Sequence, residues 1–274
     1  DSYKMDDVIG KDGIEAAYEK YLKGKDGKKM IETTGKGAVI DSNVTNSAVP
    51  GNTVYLTIDA GLQQAANKTL EKNVKAARAQ NGACKSGSVV MLNVKDFSIL
   101  AAATYPSYDL QKYYEDDTYR VQQVTDETNK PLINRAFNGA FTPGSIYKPV
   151  VACAALEEGA IGRDTSIYCG GRFYYDPSNT SEYIRCSTGP HGGISVIRAL
   201  AGSCNTFFAE TGRRLGIENL DLYASRFGLG TTTGIEVSES KGILAGLEEV
   251  HHRPRWDSLI IYLHLCSLQH ILQQ

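Results

Sequence analysis

An α+β fold is the class this sequence predicts, and three observations carry it. Residues 54–58 alternate at strand period and lead into an apolar stripe at helical period, Leu62, Ala66, Leu70, Val74 and Ala77. Residues 88–92 and 99–103 are apolar runs joined by a Lys95-Asp96 turn, the mark of a hairpin. Residues 150–156 are apolar on nearly every side, which predicts a helix buried inside its domain. Strand, long helix and paired strands pack as a sheet covered by helices. A chain of 274 residues with 42% hydrophobic content can bury such a core.

In chain order, residues 14–22 form a short amphipathic helix with Ile14, Tyr18, Tyr21 and Leu22 on one side, stopped by Gly24. The Lys-rich stretch 20–29 reads as a solvated loop. Residues 36–51, rich in Gly, Ser and Asn and ending at Pro50-Gly51, read as a connector or hairpin at a boundary. Asp59 is placed to cap the helix that follows. Tyr105-Pro106 ends the second hairpin strand, and the polar 107–134 stretch is a long connection that frames a site or lies outside the core. Residues 195–200 begin a helical segment, and Phe207, Phe208, Thr211 and Leu215 trace another that Gly216 ends.

Charge and cysteines narrow the function. A net charge of −2 and a pI near 6.3 give no basic footprint, so no nucleic-acid partner is expected. No run of 18 apolar residues and no leader occur, although the abrupt start at Asp1 reads as the interior of a longer protein. Cys84, Cys153, Cys169, Cys186, Cys204 and Cys266 lack the close spacing of a metal motif, so no metal or cofactor is expected. Cys153, inside the apolar run, reads as a small core residue. Cys169 and Cys186 flank a polar loop and could pair in an oxidising compartment, for a gain of about 3 kcal/mol in the chain-entropy model.

The chemistry concentrates in Phe141-Thr142-Pro143-Gly144-Ser145-Ile146-Tyr147-Lys148-Pro149. On a helix, Ser145 and Lys148 lie one turn apart and face the same way. A serine attacks at neutral pH only when a neighbour takes its proton, and a lysine does so only where burial or another cation depresses its pKa. Pro149 is tolerated because its missing N–H falls in the first turn. The competing reading is a capping serine beside a surface lysine. Downstream, Ser203 and Asn205 flank Cys204 in a short turn between helical segments. Ser203 can relay a proton from Lys148, and Asn205 offers a donor and an acceptor to a substrate amide. Here the competing reading is that Ser203 or Asn205 merely caps the next helix.

Together these motifs resemble those of class B penicillin-binding proteins, the bacterial D,D-transpeptidases that cross-link peptidoglycan. Pro143 to Pro149 resembles the nucleophile motif and Ser203-Cys204-Asn205 the second motif. Gly10-Lys11-Asp12-Gly13-Ile14-Glu15 and Tyr21-Leu22-Lys23-Gly24 are similar to the end of the N-terminal pedestal. Leu56-Thr57-Ile58-Asp59, Leu62-Gln63 and the stretch from Ile99-Leu100-Ala101 to Pro106-Ser107-Tyr108-Asp109 resemble the opening of the transpeptidase domain. The resemblance runs from about residue 8 to 246 and implies a transpeptidase fold, akin to serine β-lactamases, with an incomplete sheet. It divides the chain into a pedestal remnant (1–50), a partial transpeptidase domain (51–246) and a tail outside the family (247–274).

By resemblance, Lys148 deprotonates Ser145, Ser145 attacks the penultimate D-Ala carbonyl of a stem peptide, the Ser145 N–H supplies half an oxyanion hole, Ser203 passes the proton on, and Asn205 binds substrate. Stem peptides, β-lactam antibiotics and the cell-wall synthesis machinery are the partners implied, at the extracytoplasmic face of the plasma membrane, with an anchor upstream of residue 1. A serine β-lactamase or β-lactam sensor is the second reading, and a non-catalytic binding remnant the third.

The resemblance breaks after Asn205, where no Lys-Thr-Gly or Lys-Ser-Gly follows. Permitted codons for residues 256–269, read two nucleotides later, encode GQSDNLFTPMQLA, a segment of the kind the family carries between its second and third motifs. The tail from about 247 is therefore expected to be out of frame, and the chain to be an impaired enzyme.

Overall fold

The computed structural model describes residues 3, 7–178, 180–181 and 183–244. The expected out-of-frame tail, 247–274, lies outside the described residues. The described chain forms two compact units.

One unit is built from residues up to 77 with 85–138 and 234–239. Its first helix, α1 (Gly13–Leu22), starts where the Asp12 carboxylate accepts the Gly13 N–H at 2.7 Å, and places Glu15 in the first turn and Lys20 in the last, as the helix dipole favours. Gly24 follows it because a Cβ there would lie 2.4 Å from the Val49 carbonyl oxygen. Strands β1 (Lys28–Thr33) and β2 (Val39–Asn46) pair antiparallel with every side chain exposed. The stretch read as a connector or hairpin supplies one strand of a hairpin whose other strand begins inside the stretch read as a lysine-rich loop.

Helix α2 (Ala60–Gln80) is capped as expected, with the Asp59 carboxylate accepting the Leu62 N–H at 2.8 Å, and it buries Ala66, Leu70 and Val74 at helical spacing. That stripe packs on a ribbon of β3 (Gly87–Leu92) and β4 (Ile99–Tyr105), where a Cβ on Gly87 would press on Leu70 and Val74 at 3.1 Å. The expected strand at 54–58 does not form. Its place beside β4 is taken by side chains: the Gln63 amide pairs with both the N–H and C=O of Ala102 at 2.8 Å, and Thr57 Oγ1 donates to the Ile99 carbonyl at 2.6 Å. With the Ala102 groups satisfied, little remains for a ladder to gain. The 107–134 connection is more ordered than its composition suggests, because Asp109 and Asp116 cap two short helices, α3 (Leu110–Glu115) and α4 (Asp117–Thr125). Helix α5 (Arg135–Asn138) closes the unit's main run.

The other unit takes 78–84, 139–233 and, among the described residues, 240–244. A 3₁₀ turn, Gly144–Tyr147, runs into α6 (Lys148–Glu157). Strand β5 (Ile167–Cys169) pairs with β8 (Gly192–Ile194), and β6 (Arg172–Tyr174) with β7 (Tyr183–Arg185). Helices α7 (Val196–Ala201), α8 (Asn205–Leu215) and α9 (Ile217–Arg226) complete it. Val151, Ala154 and Ala155 of α6 share one core with Phe207, Phe208, Leu220 and Ala224. Helix α6 is not buried all round: Cys153 and Leu156 face solvent, so the expected core role of Cys153 is corrected. Cys169 and Cys186 are buried free thiols and do not pair.

Candidate active site

Lys148 is the centre of the site. It stands at the junction of the 3₁₀ turn and α6, with 1% of its surface exposed. Its Nζ lies 3.2 Å from Ser145 Oγ, 3.0 Å from Ser203 Oγ, 2.7 Å from the Ser203 carbonyl oxygen and 2.6 Å from Asn205 Oδ1. The Phe208 ring lies 5.7 Å away. All four sequence-predicted residues meet here.

Local geometry explains the meeting. The Ser145 carbonyl accepts the Lys148 N–H, a bond three residues long, so the missing N–H of Pro149 leaves nothing unsatisfied at that carbonyl. Helix α6 therefore starts at Lys148 and not at Ser145. Gly144 at φ +57° permits the turn that swings Ser145 over the helix start. Ser203 adopts φ +48°, a conformation costly for a residue with a Cβ, and this aims both its hydroxyl and its carbonyl at Lys148. Cys204, and neither Ser203 nor Asn205, is the N-cap of α8: its sulfur accepts the Phe207 N–H at 3.4 Å.

The polar contacts form a proton path. A lysine ammonium has three hydrogens, and four acceptors crowd this one within 3.2 Å. The longest contact, to Ser145, is the one that can reverse, with the hydroxyl donating to a neutral amine. Ser203 Oγ also lies 3.0 Å from Ser145 Oγ, so the three groups are mutually within hydrogen-bond reach. Asn205 is largely committed already, its Oδ1 to Lys148 and its Nδ2 to the Arg185 carbonyl at 2.9 Å. One amide hydrogen of Asn205 remains outside these two bonds.

A second cluster lies on the other side of the same turn. Cys169, Cys186, His191 and Cys204 bring their ligand atoms within 4.8 Å of one another. His191 Nδ1 is 3.5 Å from both Cys169 Sγ and Cys186 Sγ, and Cys186 Sγ is 3.9 Å from Cys204 Sγ. A tetrahedral zinc ion with bonds of about 2.3 Å to sulfur and about 2.0 Å to nitrogen sets its ligands about 3.5–3.8 Å apart. The donor set fits. His191 Nε2 lies 2.9 Å from Thr188 Oγ1, which donates to the Gly202 carbonyl at 3.4 Å, so the proton belongs on Nε2 and the Nδ1 lone pair is free for a metal. Burial pushes the Cys169 thiol up, but contacts with Thr206 and His191 outweigh it and bring the group to about 6. Cys204, buried among the other sulfurs, is pushed up to about 12 despite the Phe207 N–H.

Sequence reasoning missed this cluster because it looked for ligands close in the chain; here β5, the residue after β7, a turn and the α8 cap each contribute one. The available signal was density, three cysteines and a histidine between residues 169 and 204.

A model of the penicillin-binding protein transpeptidase domain matches residues 87–245, and one of the penicillin-binding protein dimerisation domain matches residues 1–56. The peptidoglycan D,D-transpeptidase MrdA of Haemophilus influenzae is 32% identical over 239 residues, which cover 87% of this chain and 35% of that protein. The chain thus spans about a third of such a relative. Among solved structures, a chain of a peptidoglycan synthase complex that coordinates polymerization and crosslinking superposes with a TM-score of 0.80 at 30% identity, covering 97% of this chain and 47% of that one. PBP2 of Pseudomonas aeruginosa in complex with WCK 5153 gives 0.68 at 27% identity, covering 93% and 52%. With the mixed helix and strand architecture and the Ser145–Lys148–Ser203–Asn205 geometry, these matches settle the family: the chain belongs to the penicillin-binding protein transpeptidases.

Proposed function

We propose that this chain is the nucleophile-bearing part of a peptidoglycan D,D-transpeptidase. The observation that carries the reading is the buried Lys148 amine held within 3.2 Å of Ser145 by Ser203 and Asn205. Lys148 takes the Ser145 proton; Ser145 Oγ attacks the carbonyl of the penultimate D-Ala of a stem peptide; Ser203 carries the proton to the departing D-Ala amine. Asn205 holds Lys148 in place and offers its remaining amide hydrogen to the substrate. An amine of a neighbouring stem peptide then takes the acyl group, while a β-lactam stops at the acyl stage.

We assign residues 1–50 to the pedestal remnant and 51–246 to the transpeptidase part; the matches over 1–56 and 87–245 support a division in that order. Cell-wall synthesis proteins are the partners, in keeping with the synthase complex above. Residues 1–56 match a segment that a lone β-lactamase or sensor domain has no use for, which favours the transpeptidase. No helix among the described residues is long and apolar enough to cross a membrane. From its kinship with the D,D-transpeptidases, we place the domain at the extracytoplasmic membrane face. The 274 residues lack a Lys-Thr-Gly or Lys-Ser-Gly after Asn205. A labelled penicillin tests the reading: a lasting adduct on Ser145 supports it, fast turnover supports a lactamase, and no adduct supports the binding remnant.

A second reading rests on the donor tetrahedron. Cys169, Cys186, His191 and Cys204 would hold one zinc ion as a structural site, as a four-ligand set of three thiolates and an imidazole does. The metal would brace the turn that carries Ser203 and Asn205. Metal content of the purified chain tests it.

A further inference from the structure

We propose that this cluster is also an oxidative modification site: when its metal is absent, Cys186 and Cys204 join as a disulfide that draws the Ser203-Cys204-Asn205 turn away from Lys148. The inference rests on the zinc reading just given. Three thiols and one imidazole bind a soft metal, but without it they are three sulfurs packed within 4.8 Å. The Cys186 and Cys204 sulfurs lie 3.9 Å apart. A disulfide needs about 2.05 Å, so they must close by nearly 2 Å.

The movement falls on a sensitive place. Cys204 is the α8 cap, and its two neighbours make the three shortest contacts to Lys148, at 2.6, 2.7 and 3.0 Å. Its own N–H is held by the Ala199 carbonyl at 2.9 Å. Cys186 follows the short β6–β7 ribbon, three residues a strand, and the next residue upstream, Arg185, supplies the carbonyl that holds Asn205. Both cysteines therefore adjoin backbone that positions Asn205. A disulfide between them shifts the catalytic turn from two sides at once.

The chemistry balances with an ordinary disulfide as oxidant, oxidised glutathione for example. The Cys186 sulfur, giving up its proton, attacks one sulfur of that oxidant and expels a glutathione thiolate; the Cys204 sulfur, giving up its proton in turn, then attacks Cys186 Sγ and expels the second. Two electrons leave the cysteines, and their two protons end on the two glutathione thiols. Zinc blocks both attacks by occupying the sulfur lone pairs.

The test uses the full chain with Cys84, Cys153 and Cys266 replaced by serine, prepared zinc-loaded, chelator-stripped, and stripped then exposed to oxidised glutathione. Zinc content is measured with a chromogenic chelator and disulfides by peptide mass mapping. Amide exchange of peptide 203–208 and labelling of Ser145 by fluorescent penicillin report on the turn. The expected result is a Cys186–Cys204 peptide in the stripped and oxidised sample alone, with faster exchange at 203–208 and labelling down about 10²-fold, as a displacement near 1 Å predicts. Reduction followed by zinc restores both, and Cys186→Ser prevents the crosslink. A reduced chain that binds no zinc overturns the metal reading and the protection with it. Zinc binding combined with a crosslink through Cys169, a crosslink that forms equally fast with zinc bound, or a crosslinked chain with unchanged exchange and labelling overturns the present inference and leaves the metal site standing.

Discussion

The Lys148 cluster and the cysteine cluster lie on opposite sides of one three-residue turn, and they are built from opposite chemistry. Around Lys148, oxygen acceptors share a few protons, and Ser145 stays at the partly exposed edge. Around Cys204, three thiols and an imidazole gather within 4.8 Å of one another, with every member but His191 buried. The first must move protons and admit a substrate; the second must hold still. A metal bound by the cysteine cluster would give Ser203 and Asn205 a fixed support.

Substitutions can break this comparison, starting with the largest effect. Ser145→Ala should abolish covalent penicillin labelling while zinc content stays at the wild-type level; loss of zinc would mean that the two clusters are not separable. Lys148→Ala should lower the labelling rate by about 10²–10⁴-fold, and the double substitution should cost no more than the worse single one, since both act as a unit.

On the other side, Thr188→Val removes the oxygen that holds His191 Nε2. Zinc affinity, measured by chelator competition, should fall about 10–100-fold with a smaller loss of labelling. Unchanged affinity would show that the His191 network does not tune the site. Ser203 sharpens the comparison because it combines strain with chemistry. Ser203→Ala and Ser203→Gly should label equally slowly, but the glycine variant should be more stable in denaturant by about 1 kcal/mol, because φ +48° suits it.

The smallest effect is set on α8 away from both clusters. Arg213 holds the Glu210 carboxyl below its ordinary range, with Arg214 helping against partial burial. A depressed carboxyl contributes stability above its unfolded pKa and loses it as pH falls through the folded value. Glu210→Gln should therefore cost less than about 1 kcal/mol near neutral pH, given the exposure of the pair, and nothing at a pH below both values. Labelling and zinc content should not change.

Much of this was legible in the sequence. The stripe of α2, the β3–β4 hairpin and the Phe207–Leu215 face each depend on local periodicity, which a chain carries in itself. Ser145 and Lys148 were legible for the same reason, being one helical turn apart. The strand at 54–58 was misread because alternation says that a segment suits an edge, and not whether that edge is already occupied, here by Gln63.

By itself, then, the sequence determined which residue types could carry acyl transfer and where helices and hairpins start. Tertiary structure alone decided that Lys148 meets Ser203 and Asn205 across some 55 residues, and that Cys169, Cys186, His191 and Cys204 converge behind them. Local geometry is set by bonds between near neighbours in the chain, whereas a proton path and a metal-sized cage exist only after burial has brought distant segments to within hydrogen-bond and ligand distance.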